Sequence, residues 1–267
     1  MTTWLPGVDR IPGKDSGTWA PDNEDAPKVV WHTTEGSTIG GAVAAFRANN
    51  SWPHLTVDPV RKRIVQHLPF DRPARALRNT SAPGQTNREG RVIQIEVVCT
   101  SKTKAPPGLV SLRDLTDDQL TWLGVHVARP VSAAIGCPLT TGVTFYGDDA
   151  GWTLATETAR QRLTPAAWDT YTGHLAHQHV PENHHWDGPF DMAAILAAAR
   201  ADILKPTPPK DVLDMTPDEL RQIVREEVGR AIGWTRAVAE DPPLADTDPQ
   251  AKRLADRAGH LNPERKG

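Results

Sequence analysis

The chain alternates short apolar runs with polar breaks, and the period of each run predicts an element. Lys28-Val-Val-Trp-His32 is a compact apolar run ending at the polar turn Thr33-Thr-Glu-Gly36, which predicts a short buried strand. From Thr38 to Ala48, the residues Ala42, Ala45 and Phe46 recur at helical spacing. His54-Leu-Thr-Val-Asp58 and Arg63-Ile-Val-Gln-His-Leu68 alternate on either side of a charged turn and predict a hairpin. The strongest strand signal is Arg91 to Val98, in which Gln94 and Glu96 share one face and Ile93, Ile95 and Val97 the other.

Thr116 and Gln119 form a capping box inside the hydrophobic staple Leu115 and Leu120. The helix they open continues through Leu123 and Val127 and is predicted to kink or end near Pro130. Residues 136–159 read as loop, with Phe145, Tyr146 and Trp152 either lining a groove or anchoring an insertion. Met192, Ile195, Leu196, Ala199 and Ile203 form a helical stripe that closes the main domain.

Beyond that stripe, Lys205-Pro-Thr-Pro-Pro-Lys210 reads as a stiff linker. Met215-Thr-Pro-Asp-Glu-Leu220 then repeats the helix-start signal, and Leu220, Ile223, Val224, Val228 and Ile232 lie on one side of the helix that follows. A single apolar stripe cannot bury itself, so this helix is expected to dock on the main domain or to build a homo-oligomer. The expected layout is an irregular arm over 1–27, lying on the surface through Trp4 and Trp19, then a main domain over 28–204. A linker (205–212), an amphipathic helix (213–235) and a disordered tail (236–267) complete it.

Composition narrows the function classes. The 267 residues carry a net charge of -3 and a pI of about 6.4, which gives nucleic acid no electrostatic footprint. Cys99 and Cys137 are the only cysteines, too few for a disulfide framework; two buried thiols are the favoured reading and a single bridge stays open. The first residues lack the basic start and apolar core of a signal peptide, and no apolar run reaches transmembrane length.

The chemistry concentrates between Gly173 and Met192. Five of the 10 histidines fall from His174 to His185, together with Asp187, and Pro181 and Gly188-Pro189 predict a shaped loop there. Neutral imidazole and carboxylate suit a divalent transition metal, zinc above all. A catalytic zinc keeps three protein ligands and one open position, so part of the set must come from elsewhere in the chain. His32, at the end of the first strand, is well placed to face the same cleft. His54 and His67 are expected to line the cleft or to be half-exposed strand residues. Glu96 stands in an apolar strand where a carboxylate is costly to bury, which makes it a candidate general base with a raised pKa. Arg72, Arg75, Arg78 and Asn79 offer donors to an anionic or amide-rich ligand, or simply form a solvated loop.

In this order the motifs Val30-Trp-His-Thr-Thr-Glu-Gly36, Pro53-His-Leu-Thr-Val-Asp58, Val92-Ile-Gln-Ile-Glu96, His177-Gln-His-Val-Pro181 and His185-Trp-Asp-Gly-Pro189 resemble the zinc-dependent N-acetylmuramoyl-L-alanine amidases. That fold is shared with peptidoglycan recognition proteins, and the likeness is nearest to amidase endolysins of actinobacterial phages or prophages. It spans about residues 28 to 204 and implies an α/β fold, a central mixed β-sheet flanked by helices with the metal in a cleft at one face. The resemblance assigns His32, His177 and Asp187 as Zn2+ ligands, with His179 competing for the second place. It assigns Glu96 as the acid/base and His185 to the position that holds the oxyanion.

Three departures stand out: Asp187-Gly-Pro for the usual Asp-Pro-Gly, Ala74-Arg-Ala-Leu-Arg78 in place of a Trp-His-Ala segment, and Pro53 where some members place a tyrosine. The implied substrate is bacterial peptidoglycan, cut between N-acetylmuramic acid and L-alanine. A catalytically silent peptidoglycan-binding module is the alternative, and a zinc nuclease, suggested by the His-x-His and His-His pairs, is disfavoured by the charge balance. The resemblance further implies synthesis in a host cytoplasm and passage to the wall through holin-made lesions.

Overall fold

A computed structural model of the chain describes residues 4–19, 26–77, 88, 91–147, 161–183 and 185–203. The linker, the amphipathic helix, the tail, Arg78, Asn79 and Trp152 lie outside the described residues.

The fold is α/β, with one mixed six-stranded sheet flanked by helices. Its strands are β1 (Asp9–Arg10), β2 (Lys28–Thr33), β3 (Leu55–Asp58), β4 (Arg63–Gln66), β5 (Val92–Val97) and β6 (Gly173–Ala176), in the spatial order β1-β4-β3-β5-β2-β6. Only the β3–β4 hairpin is antiparallel; β2 pairs in parallel with both β5 and β6, and β3 with β5. Every residue of β2 and β5 is buried, as parallel strands covered on both faces require. The Gln94–Glu96 face of β5 is therefore as enclosed as the apolar face behind it.

Helix α1 (Ile39–Asn49) opens at Thr38, whose hydroxyl accepts from the Gly41 N–H, and ends at Asn50 in the left-handed conformation. The capping box at Thr116 forms as expected and opens α2 (Asp117–Leu123). Of the two outcomes expected near Pro130, a kink or an end, the end does not occur. The helix passes through a wide turn at Gly124–Ala128, where the Arg129 N–H bonds to the Gly124 carbonyl, and continues as α3 (Arg129–Ile135). This local widening accommodates the missing proline donor, the usual cause of a kink. Helices α4 (Pro165–Thr170) and α5 (Met192–Ile203) follow, with α5 packed along α2 and the wide turn. None of the described helices is long and apolar enough to cross a membrane.

Two expectations need correction. The N-terminal arm is not wholly irregular, because Asp9–Arg10 pairs with β4 as an edge strand and Leu5 enters the core. Trp4 lies under the Arg10 guanidinium, and Trp19 stacks on the His54 ring with centroids 6.2 Å apart. The His-rich stretch is not loop from its start: Gly173–Ala176 forms the opposite edge of the sheet, where Gly173 adopts φ +124 and a Cβ would stand 2.7 Å from the Thr140 carbonyl oxygen. A side chain is excluded there on both counts.

Candidate metal centre

His32 sits one residue before the end of β2, and its register partner across the β2–β5 pair is Glu96. His177 begins the 3-10 turn that leaves β6, and β6 is hydrogen-bonded to β2 on its other side. The parallel arrangement thus carries both histidines and Glu96 to the same end of the sheet. Asp187 arrives from the loop beyond, in the left-handed conformation at φ 53, with Gly188 at φ 84.

Three donor atoms converge at this end. His32 Nδ1 lies 3.0 Å from His177 Nδ1 and 3.2 Å from Asp187 Oδ2, and His177 Nδ1 lies 2.8 Å from the same carboxylate oxygen. Tetrahedral zinc with ligands near 2.0–2.1 Å sets neighbouring donors about 3.3 Å apart, so the triangle is close to the required size. The tautomer of His177 also fits. Its Nε2 lies 3.0 Å from Asn183 Oδ1, and the Asn183 amide is oriented by its own NH2 donating to the Pro181 carbonyl at 2.8 Å. Nε2 is then the protonated nitrogen, which leaves the Nδ1 lone pair facing the cluster. Burial, with the charge of His177 second, lowers the His32 pKa to about 4 and keeps this imidazole neutral. Asp187 is pushed the opposite way by burial, but its histidine neighbours prevail and hold it well below the ordinary carboxyl range. Two imidazoles and a carboxylate, within 4.8 Å of one another, form a donor set suited to a divalent metal.

Glu96 is 8% exposed, and its Oε2 is enclosed without a hydrogen-bond partner. Burial first, then the charges of Asp187 and Glu35, raise its pKa well above the carboxyl range. His185 is exposed at the rim, its ring stacked on His177 with centroids 5.2 Å apart.

His179 is not part of the cluster. Its Nδ1 accepts from the Ala176 N–H at 3.0 Å, its Nε2 bonds to the Thr144 carbonyl at 2.9 Å, and its ring packs edge-on against Phe145. His54 and His67 are neither cleft-lining nor half-exposed. Both are fully buried, with each ring nitrogen engaged: His54 by the Gln94 N–H and Arg72 carbonyl, His67 by the Thr56 hydroxyl and Ile11 carbonyl. Phe145 and Tyr146 act as anchors. The Tyr146 carbonyl accepts from Trp186 Nε1 at 2.8 Å, and its N–H donates to Gln178 Oε1, while Gln178 Nε2 donates to the Gly188 carbonyl. These bonds shape the loop that presents Asp187. Cys99 and Cys137 are free, buried thiols.

Sequence reading missed Asn183, Gln178 and Glu35. Their only signal was position, close along the chain to a ligand.

No protein-family model matches the chain, and no curated protein does. Among solved structures, it is similar to PlyL (20% identity, 49% of this chain and 76% of that one, TM-score 0.33). A selenomethionine derivative of AmpD aligns at 21% identity over 50% of this chain and 78% of that one, with TM-score 0.33. The Staphylococcus aureus hydrolase AmiA in complex with its ligand aligns at 14% identity over 77% of this chain and 89% of that one, with TM-score 0.43.

Proposed function

We propose that the chain is a zinc-dependent N-acetylmuramoyl-L-alanine amidase that hydrolyses the amide between N-acetylmuramic acid and the L-alanine of the stem peptide. The observation that carries a metallohydrolase is the convergence of His32 Nδ1, His177 Nδ1 and Asp187 Oδ2 at the sheet end that also holds Glu96, whose buried Oε2 has no hydrogen-bond partner. The substrate comes from the sequence resemblance to amidases. His32, His177 and Asp187 would hold the zinc, which supplies Lewis-acid polarisation of the amide carbonyl and a water whose pKa falls to about 7.

In this reading Glu96 Oε2 takes a proton from the attacking water and returns it to the departing amine. A carboxyl whose pKa is raised by burial holds a proton more readily than an exposed one, which suits the transfer to the departing amine. His185, at the rim, donates a hydrogen bond to the oxygen on which negative charge develops. Asn183 keeps His177 in the tautomer that presents Nδ1.

The test is elemental analysis of tag-free protein run beside release of new amines from purified actinobacterial peptidoglycan, with and without chelator. One zinc per chain and chelator-sensitive release of alanine amines are expected. Zinc without release supports the binding-module alternative, and absence of zinc overturns the metal centre. The resemblance also supports an endolysin that accumulates in a host cytoplasm and reaches the wall through membrane lesions. Expression in an actinobacterial host should then lyse cells only after the membrane is permeabilised.

A further inference from the structure

We propose that Glu35 is a positioning residue for the metal cluster, bracing the strand end that carries His32 against the wall behind Asp187. The inference rests on the metal-site reading given above.

Glu35 lies three residues beyond His32 and is held at φ 51, a left-handed conformation unfavourable for a residue with a Cβ. Its carboxylate accepts three hydrogen bonds. Oε1 accepts from the Thr33 hydroxyl at 2.8 Å and the Ser101 N–H at 2.8 Å, and Oε2 accepts from the Thr100 hydroxyl at 2.6 Å. One side of this bond set belongs to the end of β2, the other to the segment that follows β5. Three charge-assisted bonds to this one carboxylate link the two segments.

The Thr100–Ser101 segment is in turn the surface on which the Asp187–Gly188 turn rests. A Cβ added to Gly188 would stand 3.3 Å from both Ser101 Cα and Ser101 Cβ and 2.9 Å from Leu112 Cδ2. Leu112 belongs to the same wall, because its N–H bonds to the Thr100 carbonyl and Thr100 bridges to Ser111. The path from His32 to Asp187 therefore runs through Glu35, Ser101 and Gly188 by bonded or close-packed contacts. A carboxylate that held only a surface turn would have no reason to reach both segments that position ligands. Loss of an outer group that orients metal ligands commonly weakens metal binding by about 10–100-fold.

The experiment compares full-length wild type with Glu35→Ala, Glu35→Gln and Thr100→Val. Zinc affinity is read by competition with a chromophoric chelator, ligand geometry by the visible spectrum of the cobalt(II)-loaded protein, and fold integrity by metal-free melting temperature. Glu35→Ala should lose about 10–100-fold in zinc affinity and shift the cobalt spectrum at saturation. Glu35→Gln, which keeps one carbonyl oxygen as acceptor, should recover part of the loss, and Thr100→Val should fall between it and wild type. A lower melting temperature with unchanged zinc affinity and cobalt spectrum overturns the proposal and leaves Glu35 a structural residue. If Glu35→Ala does not fold, unchanged affinity in both Glu35→Gln and Thr100→Val overturns it equally. Wild type that binds neither zinc nor cobalt removes the metal-site reading and this proposal with it, whereas tight binding by every variant removes this proposal alone.

Discussion

His177 and Asn183 are joined by a 3.0 Å hydrogen bond from Nε2 to Oδ1, and the same asparagine is locked by its NH2 to the Pro181 carbonyl. The ring orientation and the tautomer of His177 thus depend on a side chain six residues away. Asn183→Ala leaves the buried Nε2 without an acceptor and allows Nδ1 to carry the proton instead. Zinc affinity should fall about 10–100-fold, measured by chelator competition. Wild-type affinity in this variant would mean the tautomer is set by something else.

His177 and His179 stand two residues apart and should behave differently on substitution. His177→Ala removes one corner of the triangle, and equilibrium dialysis should show zinc content falling well below one per chain. His179→Ala should keep its zinc but lose about 1–3 kcal/mol of stability, because the Ala176 N–H and Thr144 carbonyl lose their buried partner. The reverse pattern would move the second ligand to His179.

Glu96→Gln should lower turnover by roughly 10²–10⁴ while zinc stays bound. The same variant carries a pH signature. Burial, then Asp187 and Glu35, raise the folded pKa of Glu96 well above the ordinary 4.5, so the metal-free folded chain keeps a proton that the unfolded chain releases near that pH. Stability from this group is complete below pH 4.5 and declines as pH rises toward the folded value. The amide of the variant cannot titrate, so its metal-free melting temperature should lack that component of decline. Parallel curves for the two proteins across this range would show that Glu96 is not buried as described.

What could be read from the sequence divides by the range of the interactions involved. Apolar periodicity reports burial along one element, so β2, β5, the β3–β4 hairpin and α1 were legible from their residues alone. A candidate metal site was legible from the density of histidines between His174 and His185 beside Asp187, whereas the choice of His177 and Asp187 within that stretch came from the resemblance. The state of a given histidine was not legible, because it is decided by distant backbone. His54 bonds to the Arg72 carbonyl, His67 to the Ile11 carbonyl and His179 to the Thr144 carbonyl, none of which is close in sequence. Glu35 and Gln178 were hidden likewise, since each becomes informative only when Ser101 or Gly188 is brought beside it. The helix continues past Pro130 through a wide turn that begins at Gly124, and the contact Gly124 makes can be tested directly.

Gly124 opens the wide turn that carries the helix past Pro130, and it lies directly against α5. A Cβ there would meet the Ile195 carbonyl oxygen, with Ala198 Cβ at 2.8 Å and the Ala199 nitrogen at 2.9 Å. Two of those three atoms are backbone and cannot rotate away, so Gly124→Ala forces the helices apart. Separation would expose part of the Leu123, Val127, Ile195 and Ala199 contact, all of it fully buried. The gain in helix propensity from glycine to alanine, about 1 kcal/mol, opposes this. Overpacking at a rigid contact costs about 1–3 kcal/mol, occasionally more, and should prevail. A lower urea midpoint at unchanged slope is therefore expected. An unchanged or higher midpoint would show that helix propensity outweighs the contact and that α5 does not seat on Gly124 as closely as described.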